Sequence, residues 1–462
     1  MSDEAAIIQR EAGLSKGLSR GQIIMIGLGG AIGTGLFMGS GIAIGYAGPG
    51  VLISYLIAAF AAMVVVFSLS EMVVLHPAAG SFGVYAETYL NRWAGFVVRY
   101  TYWAAQVIAV GGEAVAAGTY MSWWFPGVPV WTWSLGFAAI LLYVNARSVA
   151  NFGSFEYAFS VIKVTAIVGF IILGGAAIIG VGQPAVGFHN LYALPGGFLP
   201  HGLWGVWMGT IMAVFSFVGT EMVAVTSGET ADPKTAIPAA LRAMAVRLAL
   251  FYLLALTVLM SFVPWTETGA RVITESPFVR VFAHTGIAQA AGIMNFVVLS
   301  AALSSMNANI YLSARMLFSL SRGGYAPNRL GRLSRTGAPT AAIVTSGVCV
   351  VAAAAVSFFT PLAYNYLFGV ALFGAIFVWI MILLSHLGFR RRHRPEELIV
   401  RMPFFPALQI AGLILLTAIL VTMGLDTEFW NISWIVGVPW LSLLTAVYFV
   451  RRRWLGRTSV AV

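Results

Sequence analysis

Charge is what this chain has least of. Only 9% of its 462 residues are Asp, Glu, Lys or Arg, while 60% are hydrophobic; soluble domains usually carry about 25% charged residues. Together with a mean hydropathy of +0.89, this excludes an ordinary soluble domain and points to an integral membrane protein. Cysteine is almost missing as well. Cys349 stands alone, which excludes an intrachain disulfide and a cysteine-cluster metal site and leaves a small core residue in an apolar helix. His76, His189, His201, His284, His386 and His393 are scattered over span ends and loops with no metal-binding spacing. The glycines of Gly27 to Gly30 follow no strand, so a dinucleotide site fails on context. Neither an enzyme, a metal nor a cofactor is expected. The net charge of +10 falls in short clusters beside apolar runs, without a basic stripe interleaved with aromatics, so no nucleic-acid partner is expected either. Met1 to Arg20 is polar, and no cleavable signal peptide is read there.

What the chain has in abundance is apolar runs of about 20 residues, the length that crosses a bilayer. Twelve are placed near 19–42, 49–74, 95–122, 130–147, 156–180, 203–226, 240–263, 288–319, 340–358, 362–386, 405–424 and 432–450. With that count both termini share one side, and nearly all Lys and Arg fall on it. Only Arg271 and Arg280 fall on the other, so the positive-inside rule puts both termini in the cytoplasm of a multi-pass protein of the cell (inner or plasma) membrane. Trp123 to Trp133 reads as an interfacial aromatic belt, and Arg390 to Arg394 as a cluster snorkelling toward anionic lipid. Ser70 to Ala86 is either a partly re-entrant loop or an ordinary turn. Pro264 to His284 is an external loop with a short helix resting on the surface.

Against this background Ile26 to Gly41, IGLGGAIGTGLFMGSG, is anomalous. Seven of its sixteen residues are glycine, and each interior Gly weakens a helix by about 0.5–1 kcal/mol relative to Ala. A membrane helix opens only where the freed backbone groups face a cavity or ligand, so a break is expected at Gly33-Thr34-Gly35. A second interruption, Ser216 to Thr220, comes five spans later, and an odd offset inverts the second copy. Paired interruptions of this kind mark the binding site of an alternating-access transporter. The predicted organisation is a tail at 1–18, a first repeat at 19–180, an external loop at 181–202, a second repeat at 203–386, a basic loop at 387–404, two appended spans at 405–450 and a tail at 451–462.

These segments resemble the amino acid permeases of the amino acid/polyamine/organocation superfamily. The first-span pattern, AGPG at 47–50, FEYAFSVIKVTAIV at 155–168, FSFVGTEMVAVTSGETADPKTAIPAALR at 215–242 and SARMLFSLSRGGYAP at 313–327 jointly carry the likeness. It leans toward the bacterial amino acid transporter branch that includes GABA and proline permeases. The resemblance implies an all-α fold of the leucine-transporter type, five plus five inverted helices with two more appended and spans 1 and 6 discontinuous. It also implies proton-driven uptake of an amino acid. The alternatives are an obligate exchanger and a non-transporting sensor on the same scaffold. Protons and membrane lipids are the remaining expected partners; the oligomeric state is open.

A zwitterion needs two opposite partners. The backbone N–H groups of Ile32, Gly33, Thr34 and Gly35 suit its carboxylate, unless these glycines serve only close helix packing. Carbonyls near Phe215, Ser216 and Val218 suit its ammonium, and Phe215 resembles the family's aromatic gate. Lys163 lies in mid-span, where an ionisable group costs at least about 2.5–3.5 kcal/mol and so does work. The resemblance puts its ammonium where sodium-coupled relatives hold a cation, between spans 1 and 8, with Ser304 and Asn307 lining the place. Lys163 is read as the proton-coupling group, the alternative being a permanently charged strut. Glu113 is read as a binding or coupling residue, and Glu221 as a structural or gating one that caps N–H groups after the break. Glu71 and Glu87 are read as solvated or salt-bridged at the cytoplasmic end.

Overall fold

The computed structural model describes residues 7, 10, 20–78, 80–147, 149–182, 184–229, 233–269, 276–284, 288–335, 337–360, 362–427 and 430–458. Most of the predicted 1–18 tail, Arg271 and the last residues of the 451–462 tail lie outside them. The described residues are mostly helical, with no strand among them. In lipid every backbone N–H and C=O needs an internal partner, and a helix supplies one within a single segment. In chain order the helices are α1 (Arg20–Ala31), α2 (Thr34–Phe37), α3 (Gly39–Ala47), α4 (Val51–Leu75), α5 (Ser81–Tyr89) and α6 (Arg92–Met121). Next come α7 (Val130–Arg147), α8 (Val149–Ile178), α9 (Gly202–Phe215), α10 (Met222–Val225), α11 (Pro233–Phe262) and α12 (Trp265–Thr268). The chain ends with α13 (Pro277–His284), α14 (Ala288–Arg322), α15 (Thr340–Ala354), α16 (Ala363–Arg392), α17 (Ala407–Leu425) and α18 (Ile432–Thr458).

Every predicted span is met by helix. Among the described residues, seven helical stretches are long and apolar enough to cross a membrane, and shorter apolar helices at Val130–Ala146, Gly202–Phe215 and Val246–Phe262 accompany them. The chain is a multi-pass membrane protein. α6, α14, α16 and α4 pack centrally, with most of α4 and α16 buried, while α17 and α18 expose Ile414, Ile435 and Leu443 at the periphery. That exposure is ordinary where the solvent is lipid tails.

Both interruptions are present, with boundaries of their own. Span 1 breaks at Ile32 and Gly33, one residue ahead of the predicted centre, and again at Met38, so that Thr34 already begins a helical turn. Span 6 leaves the helix at Ser216 and regains it only at Met222. The two breaks touch. Gly219 sits at φ +105°, and a Cβ there would lie 2.8 Å from the Gly30 carbonyl oxygen. Only glycine fits this backbone and this approach together.

Several peripheral expectations are corrected. α13 does not rest on the surface: Phe278, Val279 and Val281 are buried, the Phe278 ring meets Phe37 at 5.2 Å and Phe170 at 5.3 Å, and Ser276 Oγ donates to the Phe37 carbonyl at 2.5 Å. Apolar residues of the segment gain more inside than at the interface. The Arg390 to Arg394 run is partly internal. Arg390 Nε lies 3.0 Å from Glu71 Oε2, and Arg392 donates to the Thr88 carbonyl at 2.9 Å, because buried acceptors nearby compete with lipid. Cys349 is half-buried rather than in the core. Ser70 to Ala86 resolves into the end of α4 and a fully buried α5. Glu87 on α5 is paired, with Arg99 Nη1 at 2.9 Å and with Arg10. Burial works to raise its pKa, but the two guanidiniums outweigh this and hold the carboxyl below its ordinary range.

Replacing Gly219 with Ala is expected to cost about 1–3 kcal/mol from backbone strain alone and to force the two breaks apart. The check is the unfolding temperature of the purified variant in detergent, which should fall well below that of the same change at exposed Gly127 or Gly136, where a Cβ meets nothing.

Candidate functional site

The site grows from the two breaks. At Ile32 the chain leaves α1 and its carbonyl loses a helical partner. Lys163, from the middle of α8, fills that vacancy: Nζ donates to the Ile32 oxygen at 2.9 Å and to Ser304 Oγ at 2.7 Å. The ammonium therefore lies between span 1 and α14. The Ser304 hydroxyl in turn donates to Glu156 Oε1 at 2.5 Å, and that oxygen is 4.0 Å from Lys163 Nζ. Asn307 donates to Glu156 Oε2 at 3.3 Å and accepts from Asn145 at 2.8 Å. Lys163, Glu156, Ser304 and Asn307 are all fully buried. A buried ion pair with this many supporting hydrogen bonds is the arrangement that makes such burial tolerable.

One residue along α14, Ser305 faces a second carboxylate. Its hydroxyl donates to Glu113, which also takes both contacts of Asn309 Nδ2, at 3.2 Å each. A Cβ on Gly33 would lie 2.8 Å from Ser305 Oγ and 3.9 Å from Glu113 Oε1, so Glu113 borders the first break. Gly35 is equally close to the second, with a would-be Cβ 2.9 Å from Ser216 Cα and 3.1 Å from the Phe215 ring. Close packing at Gly33 and Gly35 is therefore a fact of the fold, whatever else their N–H groups do.

The other break is held by tyrosines. The Tyr252 hydroxyl lies 2.8 Å from the Ala31 carbonyl and 2.9 Å from that of Ser216, sharing one proton across both breaks. Tyr55 meets Ser216 Oγ at 2.9 Å. The Phe215 carbonyl accepts from Val218 N at 3.0 Å, so it and the Ser216 carbonyl already have partners within the protein. The Phe215 ring packs against Phe368 at 4.3 Å, tilted by 55°, and Phe368 against Tyr364 at 4.1 Å, tilted by 31°; Tyr364 reaches toward the Thr34 carbonyl at 3.4 Å. The hydroxyls of Thr34 and Tyr120 are buried with no hydrogen-bond partner among the described residues.

Glu221 caps, but backward. Its carboxylate accepts from Gly219 N at 3.0 and 3.2 Å, Tyr102 at 2.9 Å and Trp379 at 3.2 Å, and makes no bond to the N–H groups of α10. Two buried pairs escaped sequence reasoning. Glu156 is one; its spacing of seven from Lys163 puts both on one helix face, a signal that was available. The other, Arg315 with Glu229 at 2.9 Å under the Tyr311 ring, joins residues far apart in the chain and left no local trace.

Comparison with known proteins agrees with this architecture. The family profile described as Amino acid permease matches residues 22–458. An uncharacterized amino acid permease, YtnA, of Bacillus subtilis (strain 168) is 39% identical over 443 residues, covering 94% of this chain and 95% of its own. The gamma-aminobutyric acid permease of the same organism is 39% identical over 423 residues, 90% of this chain and 89% of its own. The aromatic amino acid transport protein AroP of Escherichia coli (strain K12) is 37% identical over 444 residues, 95% of this chain and 96% of its own.

Glu156→Gln is expected to leave the Lys163 charge buried without its counter-charge, at a cost of about 3–5 kcal/mol. Adding Lys163→Met to that variant should restore part of the lost thermal stability. Equal and additive losses would show that the two side chains do not act as a pair.

Proposed function

The chain belongs to the amino acid permease family, and on that premise we propose that it is a proton-coupled secondary transporter of a neutral amino acid, working by alternating access with both termini in the cytoplasm. The observation that carries the reading is the Lys163 ammonium bonded to the Ile32 carbonyl at the first break. A group that takes and releases a proton there strengthens or weakens a main support of that break, which ties protonation to the geometry of the substrate site.

In this scheme the α-carboxylate of the substrate meets the N–H groups that open α2, those of Thr34 and Gly35 and that of Gly33 once it leaves the Ala31 carbonyl 3.1 Å away, where the partial positive charge of a helix start favours an anion. The unpartnered Thr34 hydroxyl is a further donor to it. The ammonium is taken by second lone pairs of the Phe215, Ser216 or Val218 carbonyls, with Glu113 bordering the same space. Phe215, Phe368 and Tyr364 form an aromatic wall for the side chain. Cargo comes from the relatives only as a range, since one is named for gamma-aminobutyric acid and another for aromatic amino acids. That range supports a neutral substrate with an apolar portion.

The role of Lys163 follows from its partners. Protonated, it donates to Ile32 and, through Ser304, is linked to Glu156. Deprotonated, the neutral amine keeps two N–H donors but loses the charge that strengthens its bond to Ile32 and its attraction to Glu156, a loss of about 1 kcal/mol on that bond alone, enough to shift a conformational equilibrium severalfold. Glu156 keeps the pair neutral overall and so limits the cost of holding the charge in the bundle.

Purified protein in liposomes is expected to accumulate its amino acid under an imposed pH gradient without sodium. Saturable binding without flux would identify a sensor, and flux only against preloaded amino acid an exchanger. Lys163→Ala should abolish pH-driven accumulation while leaving counterflow; accumulation at the wild-type level would remove the lysine from the coupling role.

A further inference from the structure

Away from the broken spans, where α6 begins and α14 and α18 end, lies an open cavity of about 950 Å³. Four arginines line it, Arg10, Arg92, Arg451 and Arg452, against one carboxylate, Glu87. That carboxylate is already committed to Arg10, to Arg99 at 2.9 Å and to the Tyr325 hydroxyl at 3.1 Å. Four positive charges and one negative leave the wall at +3. Arg451 is steered by the Gly324 carbonyl and by the Tyr325 ring, 5.7 Å away. Arg92 and Arg452 are exposed and make no ion pair with another described residue. Trp93, Tyr448 and Phe449 supply an apolar wall.

We propose that this cavity binds the phosphate headgroup of an anionic phospholipid, with Arg92, Arg451 and Arg452 as its ligands. Guanidinium forks match phosphate oxygens two at a time and desolvate more readily than ammonium groups. A basic recess at the ends of membrane helices is where acidic headgroups collect, and the aromatic wall suits the glycerol and first methylenes of a lipid, not a free ion. α18 leaves its apolar stretch at Val450 and enters Arg451-Arg452-Arg453, which sets the cavity at headgroup level. Its charge does not depend on which side of the membrane the termini occupy.

The test titrates the purified full chain in detergent with dioctanoyl-phosphatidylglycerol, dioctanoyl-phosphatidylcholine and inorganic phosphate, reading the unfolding temperature. A saturable rise with phosphatidylglycerol alone is expected. The variant Arg92→Gln/Arg451→Gln/Arg452→Gln should bind it roughly 100-fold more weakly, and exposed Arg391→Gln, outside the cavity, should bind it normally. If the triple variant does not fold, Arg452→Gln alone should weaken binding about fivefold. Equal stabilisation by phosphatidylcholine, by inorganic phosphate, or of the arginine variants would overturn the proposal.

Discussion

The structure depends on one buried charge and the carbonyl it holds. Opening a helix inside a membrane leaves main-chain groups that lipid cannot satisfy. Lys163 answers this at Ile32 with a full charge, which needs in turn the carboxylate of Glu156, two amides and a hydroxyl around it. The cost of the break is thus distributed over α1, α7, α8 and α14. Any change at the ammonium is felt by four helices at once.

The second break is supported differently. Among the described residues no cation reaches Ser216 or Gly219; tyrosines and an internal carboxylate do the work, through Tyr252, Tyr55 and Glu221. Neutral donors are less sensitive to protonation than a lysine. In the proposed scheme this asymmetry ties span 1, rather than span 6, to the protonation of the lysine. The single hydroxyl of Tyr252, lying between Ala31 and Ser216, is a direct hydrogen-bonded link between them.

Glycine meets the packing role that was weighed for it, and the proposed binding role makes the same demand. At Gly33 and Gly35 the missing Cβ admits Ser305 and the Ser216 backbone, so packing and access to the N–H groups have the same requirement. A bulky substitution at either position removes both together. The polar partners, rather than the glycines, are where a binding role separates from a structural one.

Hydropathy alone placed the spans, because a bilayer demands about twenty apolar residues per crossing and tolerates few exceptions. The same demand made the exceptions conspicuous: the glycine run, the second interruption and Lys163 were all legible as residues that lipid would not choose. What lipid does not see was not legible. Glu156 could have been paired with Lys163 by helical spacing, but Arg315 with Glu229, the inward seating of α13 and the capture of Arg390 by Glu71 join positions 86, 239 and 319 residues apart. Such contacts carry no periodic signal. They follow from which helix faces meet when the bundle packs, and only the tertiary structure decides that.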